Sequence, residues 1–215
     1  MIRVLIADDH AVMRNGLRHI LERASGFEVV GEASNGAEVP QMAREHPAHV
    51  ILLDLSMPGR NGLELIRLLR GEHQSLRVLV LTMHAEEQYI VRAFRAGAAG
   101  YLTKESAGTE LVEALRKVAA GGTYVSPALA EKLALGLQAQ PGDAPHASLS
   151  DRELEVFRRI VAGESLTEIA AALCVSAKTV STYKMRLLEK LQLRSDAALV
   201  RYAIEAKLFN DEEGL

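Results

Sequence analysis

Polar and charged side chains stand at the ends of several short apolar runs in the first half of the chain. Asp8 and Asp9 close the first run, Asp54 closes the third, Thr82 the fourth, and Lys104 follows the fifth. Carboxylates that lie close together repel one another unless a cation neutralises them. Mg²⁺ is commonly held by one or two carboxylates plus phosphate oxygens, and a hydroxyl and an ammonium suit the other phosphoryl oxygens. The set predicts a magnesium-dependent phosphoryl pocket in which Asp54 is the nucleophile that forms an aspartyl phosphate.

The segments between these residues predict how they are positioned. Apolar runs at 3–7, 28–33, 50–55, 78–81 and 100–102 alternate with segments of helical spacing at 12–23, 41–45, 62–70, 86–96 and 110–119. Runs of uniform Leu, Val and Ile are typical of parallel strands covered on both faces. The pattern predicts an α/β fold, a five-stranded parallel, doubly wound sheet of flavodoxin-like order 2-1-3-4-5, whose strand ends meet at the switch point. Pro40 implies that the second helix either starts late, with Pro40 in its first turn, or is kinked.

The second half of the chain has no strand signal from Leu149 onward. One helix is predicted over 127–137, and a stretch rich in Pro, Gly, Ala and Ser then indicates a linker. Four helices follow, and a serine can cap the start of each. Two of these serines stand three residues before a glutamate, which is the capping-box spacing. The caps are Ser150 with Glu153, Ser165 with Glu168, Ser176 and Ser195. The predicted organisation is a first domain at 1–122, a linker with one helix at 123–147, and a small all-α helix-turn-helix domain at 148–215.

The third of these helices carries a local excess of basic residues. Residues 176–207 contain seven Lys and Arg against three Asp and Glu, whereas the whole chain has a net charge of -3. Such an asymmetry is typical of a nucleic-acid footprint, although a solvated helix face gives the same charges. The side opposite the apolar face carries Lys178, Thr182, Met185 and Glu189, and Ser181 and Arg186 lie at the margins of this polar side. A helix, a short turn and this helix form a helix-turn-helix unit, whose second helix enters the major groove of DNA.

Several stretches resemble known families. Asp8-Asp9, "LLDLSMPGRNGLEL", "VLVLTMHAEE" and "AGAAGYLTKES" resemble the receiver domain of bacterial response regulators, continuously over 1–122. In the second half, "EIAAAL", "KTVSTY" and "LLEKL" resemble the LuxR-type helix-turn-helix over 148–210. Together they resemble a NarL/FixJ-type two-component response regulator.

The resemblance to receiver domains implies roles for the residues of the pocket. Mg²⁺ would be bound by Asp8, Asp9, Asp54 and the backbone carbonyl of Ser56. Asp54 would accept a phosphoryl group from a sensor histidine kinase, and Lys104 would pair with the new charge. Thr82 would then shift towards the phosphoryl group, and Tyr101 would turn inward into the vacated space. Simple packing in the core is the other role that the sequence allows for Tyr101.

The resemblance to LuxR-type domains implies the contacts with DNA. Ser181, Thr182 and Met185 fall at base-facing positions. The residues that fall nearer the DNA backbone are Lys178, Thr179, Lys184 and Arg186. Lys184 points towards the apolar face, so it is expected to reach a phosphate only by extending to the edge of the helix. A homodimer formed on phosphorylation and bound to paired half-sites is expected, and RNA polymerase is a further candidate partner.

Composition limits the remaining functions. The single cysteine, Cys174, excludes an intramolecular disulfide and is expected to be a packed thiol in a reducing compartment. No apolar run approaches the roughly 18 residues of a membrane helix, so a cytoplasmic protein without a membrane partner is expected. One alternative is a phosphohydrolase, but no acid follows Asp54 before Glu64 to protonate a leaving group, so no enzyme beyond slow self-dephosphorylation is expected. The other is an interaction protein with a vestigial receiver.

Overall fold

The chain forms two compact units, Met1–Leu137 and Gln138–Leu215. The computed structural model describes residues 1–83, 87–138, 145–206 and 208–209. The helix predicted in the linker is present at Pro127–Gln138, whereas linker residues 139–144 lie outside the described residues. No helix in the described ranges is long and apolar enough to cross a membrane.

The first unit contains one parallel sheet of six strands. Its order is β2-β1-β3-β4-β5-β6, which confirms the predicted order of the first five strands. The strands are β1 (Ile2–Ala7), β2 (Phe27–Ala33), β3 (Val50–Leu53), β4 (Arg77–Thr82), β5 (Gly100–Thr103) and β6 (Tyr124–Val125). The prediction of five strands was therefore one short. The sixth strand is only two residues long, and its pairing with β5 could not be read from a periodic pattern.

Helices cover both faces of this sheet. The helices up to residue 138 are α1 (Ala11–Arg23), α2 (Val39–Glu45), α3 (Gly62–Glu72), α4 (Glu87–Ala96), α5 (Ala107–Ala119) and α6 (Pro127–Gln138). Residue 86, the predicted start of the fourth helix, lies outside the described residues. Pro40 lies in the first turn of α2, which confirms the late start; a first turn tolerates proline because its amide has no partner within the helix.

Alternation along the strands builds the core that holds the strand ends in place. Val4 and Ile6 of β1, with Leu52 of β3, pack in one buried cluster together with Leu17 of α1 and Leu115 of α5. The intervening residues of these strands are equally buried and face the other side of the sheet. Because the strands are covered on both faces, their carboxyl ends are held rigidly at one edge.

The second unit is all-α. Its elements are a 3-10 turn (Pro145–Ser148) and the helices α7 (Asp151–Val161), α8 (Leu166–Ala172), α9 (Ala177–Lys190) and α10 (Asp196–Glu205). All four predicted serine caps are confirmed, and in both capping boxes serine and glutamate bind each other's backbone amides. Local side-chain chemistry therefore sets where these helices begin.

The turn between α8 and α9 corrects one prediction. Cys174 is exposed, with a left-handed backbone (φ 53°), so the expectation of a packed thiol was wrong. The helix ends at Ala172 with Leu173 as its C-cap, and the buried apolar residues of this segment are Ile169, Ala170 and Leu173. The helix therefore ends two residues before Cys174, although the helical spacing of the apolar residues seemed to include it.

Candidate functional site

The predicted acidic residues meet at the carboxyl edge of the sheet. Asp8 follows β1 and Asp54 follows the adjacent strand β3. The Asp54 amide extends the pairing of these strands by donating to Ala7 O at 2.9 Å. Across the same edge, Thr82 ends β4, and its carbonyl accepts a hydrogen bond of 2.9 Å from the amide of Lys104. Backbone pairing thus places these residues at the switch point, as predicted.

A lysine joins two of the carboxylates. Lys104 Nζ lies 2.7 Å from Asp54 Oδ2 and 2.8 Å from Asp8 Oδ2. All three side chains are buried. The other oxygen of Asp54, Oδ1, accepts a hydrogen bond of 3.0 Å from the backbone amide of Ser56. Asp54 is thus fixed in orientation through both of its oxygens.

Burial and charge act in opposite directions on this pair. Burial raises the pKa of Asp54, and although Lys104 and the amide of Ser56 act to lower it, the net shift is upward. Burial alone would lower the pKa of Lys104, but the carboxylates of Asp54 and Asp8 outweigh it and raise that pKa. Lys104 therefore stays charged at neutral pH and neutralises part of the acidic cluster.

The cluster fits a hard divalent cation. Potential ligand atoms of Asp8, Asp9, His10 and Asp54 all lie within 4.8 Å of one another. Asp8 Oδ2 and Asp9 Oδ1 are buried and accept no well-oriented hydrogen bond from the described residues, although Lys104 and His10 approach them. Mg²⁺ takes oxygen ligands and is commonly held by one or two carboxylates, so these oxygen atoms fit it. Sequence reasoning did not include His10, whose Nδ1 lies 2.9 Å from Asp9 Oδ1; its place directly after the two acids was the available signal.

Two loops pack tightly beside the pocket and hold the backbone around Ser56. The Gly36 amide donates to Pro58 O at 2.9 Å, and a Cβ added to Gly36 would lie 2.5 Å from Arg60 O. The Asn61 side chain caps α3 by accepting from two backbone amides of its first turn. The loop that carries the predicted carbonyl ligand is thus held in place on the C-terminal side of Ser56. The role of that carbonyl as a ligand stays a prediction.

The two residues predicted to sense the phosphoryl group lie on one face of the sheet. Tyr101 pairs in register with Val80, and Thr82 pairs with Thr103. Their neighbour Leu102 belongs to the core cluster on the opposite face. Tyr101 and Thr82 are both fully buried, so Tyr101 occupies the inward position and packs in the core. Its movement during signalling stays a prediction.

The helix α9 presents the second predicted site. Thr179 N donates to the N-cap Ser176 Oγ at 3.1 Å, which fixes the start of the helix. A shallow depression runs along one flank of the helix, and its lining combines hydroxyl groups with two cationic side chains. The lining residues are Ser176, Lys178, Thr179, Thr182, Tyr183 and Arg186. Four of the seven predicted contact residues are therefore brought together there, and Tyr183 lines the depression with them.

The remaining predicted contact residues, Ser181, Lys184 and Met185, differ in their exposure and in their partners within the chain. Ser181 Oγ donates to Ala177 O at 2.9 Å, and Met185 is 60% exposed. Lys184 instead forms an ion pair, with its Nζ 2.6 Å from a carboxylate oxygen of Asp196 on α10. The structure therefore gives Lys184 a partner within the chain, and its predicted contact with a DNA phosphate stays a prediction.

An ion pair between the buried Glu153 and the exposed Lys190 attaches α9 to α7. Lys190 Nζ lies 2.7 Å from Glu153 Oε2 and donates to Ser148 O at 3.2 Å. Burial acts to raise the pKa of Glu153, but the hydrogen bonds from Lys190 and Ser150 outweigh it and lower that pKa. The carboxylate of the first capping box therefore also holds the exposed helix in place.

Comparisons with known proteins match both units. The model of the family described as "Response regulator receiver domain" matches residues 4–116, and that described as "Bacterial regulatory proteins, luxR family" matches residues 147–203. The response regulator UvrY of Escherichia coli (strain K12) is 39% identical over 213 residues, which cover 99% of this chain and 98% of UvrY.

Solved structures of RcsB are similar along most of the chain. RcsB from Salmonella enterica serovar Typhimurium, bound to promoter rprA in the presence of phosphomimetic BeF3-, has 33% identity and a TM-score of 0.64, over 94% of this chain and 97% of that one. A structure of two RcsB dimers bound to two parallel DNAs has 31% identity and a TM-score of 0.60, over 94% and 98%. Since the receiver model matches more than half of the chain and UvrY is similar along nearly its whole length, the chain belongs to the response regulators that join a receiver domain to a luxR-family DNA-binding domain.

Proposed function

We propose that phosphorylation of Asp54 by a sensor histidine kinase controls dimerisation and sequence-specific DNA binding, and thereby transcription. One observation carries the proposal: at the switch point of the sheet, Lys104 Nζ lies within 2.8 Å of both Asp54 and Asp8. A buried carboxylate that is oriented through both oxygens and neutralised by a lysine suits a phosphoacceptor. The proposal places the protein in the cytoplasm, where its DNA targets lie.

Each residue of the pocket would have its own role in phosphoryl transfer. Asp8, Asp9, Asp54 and the carbonyl of Ser56 would hold Mg²⁺, which when bound neutralises charge on the transferring phosphoryl group. An Asp54 carboxylate oxygen attacks phosphorus, and the bond to the donor's leaving group breaks. Lys104 then exchanges its contact with Asp54 for one with a phosphoryl oxygen.

Two buried residues on the same face of the sheet would report the phosphoryl group. The Thr82 side chain donates its hydroxyl proton to a phosphoryl oxygen, and Tyr101 is held in its inward position behind it. Because Thr82 and Tyr101 lie on the adjacent strands β4 and β5 in a closely packed core, a shift of one side chain would change the packing of the other. Phosphorylation would thus favour one of two packed arrangements of the receiver domain.

The DNA-binding half would respond as a dimer. The similarity to promoter-bound RcsB supports contacts with double-stranded DNA through α9, and the structure of RcsB dimers on DNA supports a homodimer. Lys178 and Arg186 supply positive charge for the DNA phosphates. A single helix-turn-helix unit makes few contacts, so two half-sites would provide the affinity. RNA polymerase is a further proposed partner at the promoter.

We propose that the chain is a phosphoacceptor and not a phosphohydrolase. The group two residues after Asp54 that approaches its carboxylate is the backbone amide of Ser56, which is not a general acid. The proton needed by a leaving group would therefore come from solvent or from the donor. Slow self-dephosphorylation is the expected exception, and multiple turnover of a small phosphate ester would contradict this part of the proposal.

Phosphoryl uptake from a radiolabelled small phosphodonor tests the assignment of Asp54. Asp54→Ala should abolish uptake and leave folding intact, whereas Glu64→Gln, which changes an exposed acid on α3, should label at the wild-type rate. Beryllofluoride should increase dimerisation and DNA affinity in the wild-type chain but not in Asp54→Ala. Labelling of Asp54→Ala at the wild-type rate would overturn the site assignment. Labelling of the wild type without any change in dimerisation or DNA binding would overturn the proposed coupling.

A further inference from the structure

An apolar side chain stands in the middle of the exposed stripe of α9. Lys178, Thr182, Met185 and Glu189 recur at helical spacing and form this stripe. Met185 is 60% exposed. The other large apolar side chains of the described residues that are this exposed lie elsewhere in the chain: Met1, Val12, Met83 and Ile204. Packing in the core therefore does not explain why an apolar side chain occupies position 185. A contact made by the exposed side of α9 is the alternative explanation.

The hydroxyl groups of Ser181 and Thr182, near Met185, donate their protons to backbone carbonyls of α9. Ser181 Oγ donates to Ala177 O at 2.9 Å, and Thr182 Oγ1 donates to Lys178 O at 3.0 Å. A hydroxyl has one proton but two acceptor lone pairs, so each can still accept a hydrogen bond from a bound partner. The centre of the helix surface thus offers acceptors and an apolar contact, whereas cationic donors lie at its flanks.

This combination matches one kind of base pair. In the major groove an A·T pair presents the amino group of adenine, which is a donor, beside the 5-methyl group of thymine. Guanine presents two acceptors instead, and these require donors such as a free Arg or Lys. We infer that Met185 contacts the 5-methyl group of a thymine and that Ser181 or Thr182 accepts from an adjacent amino group. This inference depends on the proposed DNA-binding function and extends it to base specificity.

Charge along the helix limits how far the base contacts can extend. Glu189 is exposed on the same stripe, one helical turn beyond Met185. A carboxylate at that position is repelled by the phosphate backbone, so the C-terminal turn of α9 stays outside the groove. Arg186 lies on one flank of the stripe and, with Lys178 at the start of the stripe, lines the depression there. Both cations are available for phosphates. Met185 is thus the last base-facing residue of the helix.

Replacement of thymine by deoxyuridine removes only the 5-methyl group and so tests the contact directly. Preferred sites are selected from random DNA with the beryllofluoride-treated full chain, and each thymine of one half-site is then replaced singly. Wild-type affinity should fall about fourfold at one position, since a buried methyl group contributes roughly 0.8 kcal/mol. Met185→Ala should bind the thymine site more weakly and lose the sensitivity at that position, whereas Met185→Leu should keep it. Met83→Ala, which truncates an equally exposed methionine in the receiver domain, should behave as wild type.

The outcomes separate this inference from the function on which it depends. If the chain binds selected DNA specifically but Met185→Ala keeps every deoxyuridine effect of the wild type, the thymine contact is wrong and the proposed function stands. The same holds if no thymine lies within the selected half-site. If neither untreated nor beryllofluoride-treated protein prefers any sequence, the proposed function fails, and the base contact fails with it.

Discussion

Removal of the buried cation at Lys104 should destabilise the receiver domain in a way that Mg²⁺ reverses. In Lys104→Met the side chain keeps its length and loses its charge. In the wild type, Lys104 Nζ lies 2.8 Å from Asp8 Oδ2 and 2.7 Å from Asp54 Oδ2. In the mutant both carboxylates remain buried without this ammonium group. Two carboxylates in such a site repel each other and are poorly solvated.

The size of the effect follows from this geometry. Loss of one partner of a buried, hydrogen-bonded ion pair costs roughly 3–5 kcal/mol, because the charge left behind has neither water nor a counterion. The Lys104 side chain is only 6% exposed, so little water reaches the pair to screen it. A bound divalent cation would replace the missing charge, so saturating Mg²⁺ should stabilise Lys104→Met more than it stabilises the wild type.

Native-state hydrogen exchange measures this free energy for the first unit alone. The amides of Ile6 and Leu52, which lie in the buried strands β1 and β3, report its global opening. Their exchange in Lys104→Met should accelerate roughly 10²–10⁴-fold without Mg²⁺. Lys117→Met, at an exposed lysine of α5, should change the free energy by no more than about 0.5 kcal/mol.

Two results would refute this reasoning. A change below about 1 kcal/mol in Lys104→Met would mean that the buried carboxylates do not depend on the lysine for their charge balance. An equal response of mutant and wild type to Mg²⁺ would mean that the cation does not bind among these carboxylates. Exchange in the second unit should be unchanged in either case and serves as the internal reference.

Three further predictions concern the capping box, the DNA-binding helix and the loop beside the pocket. Glu153→Gln should destabilise the second unit at pH 7, because the hydrogen bonds from Lys190 and Ser150 lower the pKa of Glu153 in the folded state. The effect should start to shrink as the pH falls below the unfolded pKa of about 4.3, and it should be absent once the pH is below the lowered folded pKa. The same change at exposed Glu168 should have a smaller effect, and chemical denaturation across this pH range compares the two. Arg186→Ala should weaken binding to every DNA sequence and reduce the slope of log affinity against log salt by about 1, measured by anisotropy titrations; loss for one sequence only would contradict a phosphate contact. Gly36→Ala should lower the free energy of unfolding by about 1–3 kcal/mol, because the added Cβ would lie 2.5 Å from a backbone carbonyl oxygen. Gly71→Ala serves as the control and should not destabilise the protein, because a Cβ at Gly71 meets open space. Denaturant titration measures both free energies.

The features that the sequence predicted well are those set by local rules. The four serine caps depend on side chains that bind amides two or three residues away, so their spacing alone identifies them. The position of Asp54 depends on where a buried run ends, and the sheet order then brings Asp8 beside it. Strong periodicity and short-range chemistry were therefore sufficient for the fold and for most of the pocket.

The features that were missed depend on partners far away in the chain. Lys184 pairs with Asp196 on the next helix, and no pattern within α9 indicates this contact. Strand β6 exists only because β5 offers a free edge for Tyr124 and Val125. The exposure of Cys174 follows from a left-handed turn residue that is not glycine, a conformation that few non-glycine residues adopt. In each case tertiary context decided what the local sequence left open.

The close packing beside the pocket also predicts which changes the protein can tolerate. A side chain at Gly36 would collide with the backbone at Arg60, and one at Gly62 would lie 2.6 Å from Leu55 Cα. Neither neighbour is a flexible side chain that can move aside, so larger residues at positions 36 and 62 should be rejected in a mutational library. Diversity in such a library is therefore better placed on exposed helical positions such as Val12, which is 87% exposed.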